Sequence, residues 1–176
     1  MTASSPVLSQ ATEADGPAIE RLLDLSFGKG RHRKTAQRLR DGRAPAPGLA
    51  FVLKQDGVLI GTLTFWEVNA GGAPALLLGP IAIDPAYRSE GFGGFMIRRG
   101  LAEAAWLGHR AVILVGDEPY YRRFGFTRRP VEQLTLPGPV DLDRFLGLEL
   151  VDGALDMAAG AVTPAARQIE RRRRAA

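Results

Sequence analysis

The stretch LGPIAIDPAYRSEGFGGFMIRRGLAEAAWLGHRAVILVGDEPYYRRFGF, Leu78–Phe126, decides the fold. It begins inside an apolar run, Ala75–Ile83, that reads as a central strand because both of its faces need cover. A short turn, Asp84–Gly94, opens directly into Phe92–Leu107, where Phe95, Met96, Leu101, Ala104, Ala105 and Leu107 predict an amphipathic helix. Ala111–Val115 reads as a second buried strand and Pro119–Phe124 as a short helix. The order strand, turn, helix, strand is a βαβ unit, so the two strands are expected to be parallel.

The turn holds Arg88-Ser89-Glu90-Gly91-Phe92-Gly93-Gly94. The first N–H groups of a helix lack internal partners, and the helix dipole adds partial positive charge there. Glycines let an anion approach that backbone closely. The combination suits a phosphate cradle, although three glycines can also mark no more than a tight strand-to-helix turn. A dinucleotide fingerprint fails: Gly91 and Gly93 match, but Met96 holds the third glycine position, and Ala111 and Val112 lie where an acidic residue is needed. No G-K-[ST] follows, so a Walker A loop fails too.

Arg88-x-x-Gly91-x-Gly93, preceded by a strand and Asp84-Pro85-x-Tyr87 and followed by Tyr121-x-x-x-Gly125-Phe126, resembles the pyrophosphate loop and closing element of the GNAT N-acetyltransferase superfamily. The resemblance spans roughly Leu49–Thr127. The first 45 residues fit more loosely, and the region after Pro130 is atypical. Within that superfamily the chain is similar to a bacterial subgroup of largely unassigned acceptor. The resemblance implies an α/β layered fold whose mixed, mostly antiparallel sheet has splayed central parallel strands, here Leu76–Ile83 and Ala111–Val115, flanked by helices. It implies acetyl-CoA, or another acyl-CoA, as co-substrate. The backbone of Ile81, Ala82 and Ile83 would hold the pantetheine arm. The amides of Arg88, Ser89, Glu90, Gly91, Phe92, Gly93 and Gly94 would hold the pyrophosphate. Tyr121 would be the general acid toward the departing thiolate, with Tyr120 as competitor if the register slips by one. Phe92 and Phe95 are expected in the core by side chain. The implied reaction is direct attack of an amine of a small molecule or protein on the thioester. A non-catalytic acyl-CoA-binding or sensor module is the alternative. The general base stays open between Glu67 and Asp117; His32 and His109 are weaker candidates, His109 being in a helix-to-strand turn.

Outward from this core, Val7–Gln10 reads as a strand, Asp15 as an N-cap with Pro17 in the first turn, and Ile19, Leu22, Leu23, Leu25 and Phe27 as one helical face. His32–Arg40 reads as a second, basic helix after Gly28 and Gly30. Leu49–Lys54 and Val58–Val68 flank Asp56-Gly57, a strong hairpin signal. Asn69–Pro74 reads as a turn and Leu146–Val151 as a late apolar strand that could pair between subunits in a homodimer.

The chain has 176 residues, so one domain is expected, 1–166, with 167–176 as a solvated basic tail. Its net charge of +4 is uneven: Lys29–Arg43 carries +6 and the last ten residues +4, leaving the remainder at −6. The Lys29–Arg43 cluster falls where the family's first helices border the acceptor site. It reads as a solvated face, as a match for an acceptor with acidic groups, or as an aid to the CoA phosphates. A polycationic acceptor would be repelled. Nucleic acid is not expected as a partner, because no recognised binding motif accompanies the basic clusters. There is no cysteine and there are only two histidines, so no metal is expected. The N-terminal residues lack the basic-then-apolar pattern of a signal peptide and no membrane span is evident, so the expected location is cytoplasmic with no membrane partner.

Overall fold

The computed structural model describes residues 4–166, so the basic tail lies outside the described residues. The strands are β1 (Val7–Gln10), β2 (Ala50–Gln55), β3 (Val58–Ala70), β4 (Ala73–Ile83), β5 (Ala111–Val115), β6 (Leu134–Thr135), β7 (Phe145–Glu149) and β8 (Gly160–Pro164). The helices are α1 (Gly16–Phe27), α2 (Phe92–Trp106) and α3 (Glu118–Tyr121). The main sheet runs β1-β2-β3-β4-β5-β7. Every neighbouring pair along it is antiparallel except β4 and β5, which run parallel. The late half of β3 pairs with β8, and β8 pairs in parallel with β6.

Both faces of the sheet are covered, as the apolar runs in β4 and β5 require. Leu76, Leu78, Val112 and Leu114 point into one core with Met96, Ile97, Leu101 and Ala104 of α2. Ala75, Leu77, Ala111 and Ile113 point into the other with Leu39, Val131, Phe145 and Val162. α1 lays Leu22 and Leu23 on Ala82 of β4. Its N-terminal end is tied down by Asp15, a buried carboxylate that meets the Lys54 ammonium of β2 at 2.6 Å. The same carboxylate accepts from the Thr12 amide at 2.9 Å and the Thr12 hydroxyl at 3.0 Å.

Four sequence expectations change. The helix expected over His32–Arg40 does not form; the chain there makes two 3₁₀ turns, Lys29–Arg33 and Thr35–Leu39, separated by the extended Lys34. Gly28 at φ +71° breaks the chain direction, and Lys29/Arg33 and Lys34/Arg38 would be like-charge pairs one helical turn apart. On α2, Phe95, Ala105 and Leu107 are exposed, and the buried face is Met96, Ile97, Gly100, Leu101 and Ala104. The Asn69–Pro74 turn shrinks to Gly71-Gly72, because β3 and β4 stay paired out to Ala70↔Ala73. The late strand ends at Glu149, and its outer edge is engaged at Gly147, which exchanges two backbone hydrogen bonds with Thr127. A pairing between copies along that edge would have to displace Thr127. β6 and β8 were not anticipated.

Gly100 sets how close α2 comes to the sheet. A Cβ there would lie 2.7 and 2.9 Å from ring carbons of Phe65. Helix propensity favours alanine by about 1 kcal/mol, but overpacking a dense core costs about 1–3 kcal/mol. Gly100→Ala is expected to lower the unfolding free energy by about 1–2 kcal/mol in urea titrations. Unchanged stability would mean that α2 slides freely over Phe65.

The Lys54 contact, followed by the Thr12 amide, holds the Asp15 pKa down to about 2. An unfolded aspartate titrates near ~3.9. The contribution is therefore complete above about pH 4 and is lost as pH falls toward 2. The stability difference between wild type and Asp15→Asn should be flat near neutrality and shrink only across that acid window. A difference independent of pH down to about 2 would remove the charge from the explanation.

Candidate functional site

The site begins where the two parallel strands stop pairing. β4 and β5 are joined only at Leu76↔Val112 and Leu77↔Ile113. Just beyond, β4 bulges: its register with β3 jumps from Phe65↔Leu78 to Leu63↔Ile81. Gly79 takes φ +123°, a conformation that favours glycine, and its carbonyl accepts from the Trp66 indole N–H at 2.7 Å. Past the bulge β4 remains paired with β3 as far as Ile83, while β5 has left its other side. The edge over Ile81, Ala82 and Ile83 thus offers backbone groups with no strand beside them, and such groups demand partners.

The chain then turns into α2. The Asp84 carboxylate accepts from the Ala86 amide at 2.8 Å, which fixes the short turn Pro85–Tyr87. Ser89 and Gly91 both take positive φ, +69° and +83°. The Phe95 amide donates to the Gly91 carbonyl at 3.0 Å, so the amides of Phe92, Gly93 and Gly94 are left free at the start of the helix. The Arg88 guanidinium folds back and donates to the Ile83 carbonyl at 3.3 Å.

These features line a groove of about 500 Å³. Of the ten residues expected to hold the cofactor, nine border it: Ile81, Ala82, Ile83, Arg88, Ser89, Gly91, Phe92, Gly93 and Gly94. Glu90 does not; it is exposed on the turn and contributes no wall. The groove also draws in Arg98 and Arg123, which the sequence reading missed. Arg98 lies one helical turn after Gly94, and Arg123 lies inside Tyr-x-x-x-Gly-Phe, so spacing could have found both. They stack on Phe124 at 5.3 and 5.7 Å, and Arg123 lies over the Tyr120 ring at 4.3 Å. Among the described residues neither has a carboxylate partner.

Two observations test whether a thioester of CoA fits. Ser26 at the end of α1 borders the groove with a buried hydroxyl that has no hydrogen-bond partner. At Gly93 a Cβ would sit 3.1 Å from the Tyr120 hydroxyl, so a larger residue would fill the cradle. Free amides, three arginines and an orphan hydroxyl suit a long ligand with amide groups at one end and a diphosphate at the other.

A second cavity, about 710 Å³, lies where the strands part, lined by Leu78–Ile81 of β4 and by Val115 and Gly116 at the end of β5. The two spaces share Phe27, Ile81 and Tyr120. Tyr121 faces the larger cavity beside Asp117. Its ring fits against Gly116, where a Cβ would come within 2.2 Å, and meets the Tyr120 ring edge-on at 5.0 Å. Burial, then Tyr120 and the Asp117 carboxylate, push its pKa up to about 12, against the opposing pull of Arg144. Among the described residues neither tyrosine hydroxyl has a hydrogen-bond partner, so both are available to a ligand.

The two candidate bases are now separated. Glu67 is exposed, sits opposite Leu76 on β3 and borders neither cavity. Asp117 borders the larger cavity and pairs with Arg144 at 3.3 Å. His32 and His109 border neither. Phe92, expected in the core, is half-buried against it and borders the groove, and Phe95, also expected there, is exposed. Among the described residues no cluster of three or more His, Asp or Glu side chains could hold a metal ion, and no helix is long and apolar enough to cross a membrane.

The sequence model of the acetyltransferase (GNAT) family matches residues 16–126. The chain is 31% identical over 150 residues to an uncharacterized N-acetyltransferase of Escherichia coli K12, YhbS, covering 84% of this chain and 89% of that protein. The crystal structure of the Escherichia coli YhbS protein in complex with CoA superposes with a TM-score of 0.77 at 28% identity, over 90% of this chain and 89% of that one. A GNAT family acetyltransferase from Brucella melitensis in complex with acetyl-CoA superposes with a TM-score of 0.70 at 28% identity, over 92% and 97%. With the parted parallel strands, the glycine turn and the tyrosine-bearing corner all in place, this chain belongs to the GNAT acetyltransferase family.

Proposed function

We propose that the chain moves an acetyl group from acetyl-CoA to an amine by direct attack, with both substrates bound at once. The observation that carries this reading is the junction of groove and cavity at Phe27, Ile81 and Tyr120, with Tyr121 beside it. Solved relatives hold CoA or acetyl-CoA, and the groove here has the same chemistry to offer. In this reading residues 1–166 form one catalytic domain acting in the cytoplasm.

The free edge of Ile81–Ile83 takes the place of a missing strand pair by bonding the amides of the pantetheine arm. The amides of Phe92, Gly93 and Gly94 donate to the diphosphate, and the charges of Arg88, Arg98 and Arg123 offset its anions. Glu90 has no part in this grip. In the reaction a C–N bond forms as the C–S bond breaks; one proton leaves the amine and the sulfur gains one. Tyr121 donates a hydrogen bond to the departing sulfur. A phenol held near pKa about 12 surrenders its proton reluctantly to a thiolate whose acid titrates near ~8.5. The hydroxyl therefore stabilises the thiolate by its dipole, and the net proton comes from the amine. Asp117, which borders the larger cavity beside Tyr121, receives that proton in this reading, directly or through water.

Two outcomes test this. Gly93→Val should weaken CoA binding at least tenfold by calorimetry, since the side chain would enter the space between the helix amides and the Tyr120 hydroxyl. Binding unaffected by valine would place the diphosphate elsewhere. With acetyl-CoA and an amine acceptor, Tyr121→Phe should lower kcat about 10²-fold while CoA affinity stays within twofold. The wild-type kcat should show no falling limb from loss of the phenolic proton below about pH 10. A larger kcat loss in Tyr120→Phe than in Tyr121→Phe would transfer the donor role to Tyr120. Tight CoA binding with no thiol release from any amine would favour the sensor alternative.

A further inference from the structure

The larger cavity has a wall that the transfer chemistry does not use. Six cationic side chains border it: Arg31, Arg33, Lys34, Arg38, Arg40 and Arg144, against the carboxylates Asp117 and Asp141. Five of the six come from the segment between α1 and β2: Arg31, Arg33 and Arg38 from the two 3₁₀ turns, Lys34 from the joint between them and Arg40 from the end of the second. Most already have an occupation. Arg31 pairs with Glu20 and Asp24. Lys34 lies over the Phe27 ring at 4.8 Å. Arg38 donates to the Pro137 carbonyl at 2.5 Å, and Arg144 pairs with Asp117 at 3.3 Å.

Arg40 does not. Its Nε donates to the Ala36 carbonyl at 3.3 Å, and among the described residues its terminal Nη groups have neither an ion-pair nor a hydrogen-bond partner. The residue is half-buried, and desolvation lowers its pKa to about 10 against the attraction of Asp41, so it remains a cation at neutral pH. Its Nη atoms are not sealed in: among the described residues the Ser26 hydroxyl is the one fully buried side-chain polar atom left without a partner. A partly desolvated guanidinium that borders a cavity without a counter-ion leaves donors for an anion to complete. Its planar fork suits phosphate or carboxylate.

We propose that the acceptor is an amine that also carries a phosphate or carboxylate group, gripped by Arg40 in the larger cavity while the amine faces Ile81 and Tyr121. The inference rests on the acyl-transfer reading of the adjoining groove. It also separates two roles left open by the sequence: five of the seven Lys29–Arg43 cations border the larger cavity, and no residue of that segment borders the groove proposed for the phosphates. A cationic wall has a second effect. It disfavours the ammonium form of the acceptor and so lowers its pKa toward the neutral nucleophile.

The test is calorimetric titration of the full chain, with and without saturating CoA. The probes are O-phosphorylethanolamine against ethanolamine, and β-alanine against propylamine. At least one anionic probe should bind tenfold or more tighter than its uncharged-tail partner, and added salt should erode that preference. Which anionic probe wins distinguishes phosphate from carboxylate. Arg40→Gln should abolish the preference with CoA affinity unchanged, and Arg40→Lys should restore part of it. Equal binding within each pair, or no binding of either anionic probe, overturns the proposal. So does an Arg40→Gln variant that keeps the preference. If that variant fails to melt cooperatively, the wild-type preference alone decides. Failure of the acyl-transfer reading shows separately, as absence of CoA binding to wild type.

Discussion

Two parallel strands that begin as neighbours and then separate leave a polar debt that the protein cannot settle internally. β4 and β5 pair at Leu76 and Leu77 and no further. The Gly79-Pro80 bulge breaks register at the same level, so β4 continues with its β3 side satisfied and its other side open. Water can solvate that edge, but an extended ligand with amides of its own replaces water with a strand-like ladder. In the proposed binding mode the direction of β4 would carry the ligand's far end to the N-terminus of α2, where amides without helical partners suit an anion. The position of the groove thus follows from one break in pairing.

The parting has to be held open, and aromatic packing does that. Tyr121 lies against Gly116 at the end of β5 and against Phe126 at 6.0 Å, while Tyr120 meets Phe124 at 5.5 Å. Gly116 is required because any Cβ would displace the Tyr121 ring. The same packing dehydrates the Tyr121 hydroxyl and raises its pKa, so the wedge between the strands and the proposed hydrogen-bond donor are one object. On the opposite face the Asp15–Lys54 contact ties α1 to β2, which sets Ser26 and Phe27 at the groove.

Much of this was legible in the sequence because it is local. The apolar run of β4, the glycine turn, the boundaries of β5 and the Tyr-x-x-x-Gly-Phe corner are each set by residues within a few positions of one another. What escaped was set by partners distant in sequence. The buried face of α2 could not be read correctly without knowing that Gly100 meets Phe65. β8 pairs with β3 almost a hundred residues earlier, and its AVTP sequence carries no strong alternation. His32–Arg40 reads as a helix in the sequence, whereas repulsion between like charges and contacts with Pro137 and Pro139 select short turns instead.

The irregularity of that segment bears on chemistry. A regular helix would spread its cations around all sides, most of them toward water. Two 3₁₀ turns broken at Lys34 bring five cations to one cavity. Five of the six cavity cations are tied to the protein by ion pairs, a ring or a carbonyl, which orders the wall without exhausting its charge. Arg40 is held at Nε alone, so its orientation is fixed while its Nη fork stays free. That is the arrangement expected of a recognition residue, since the entropy of placing the side chain is spent in folding and the hydrogen bonds remain to be made on binding.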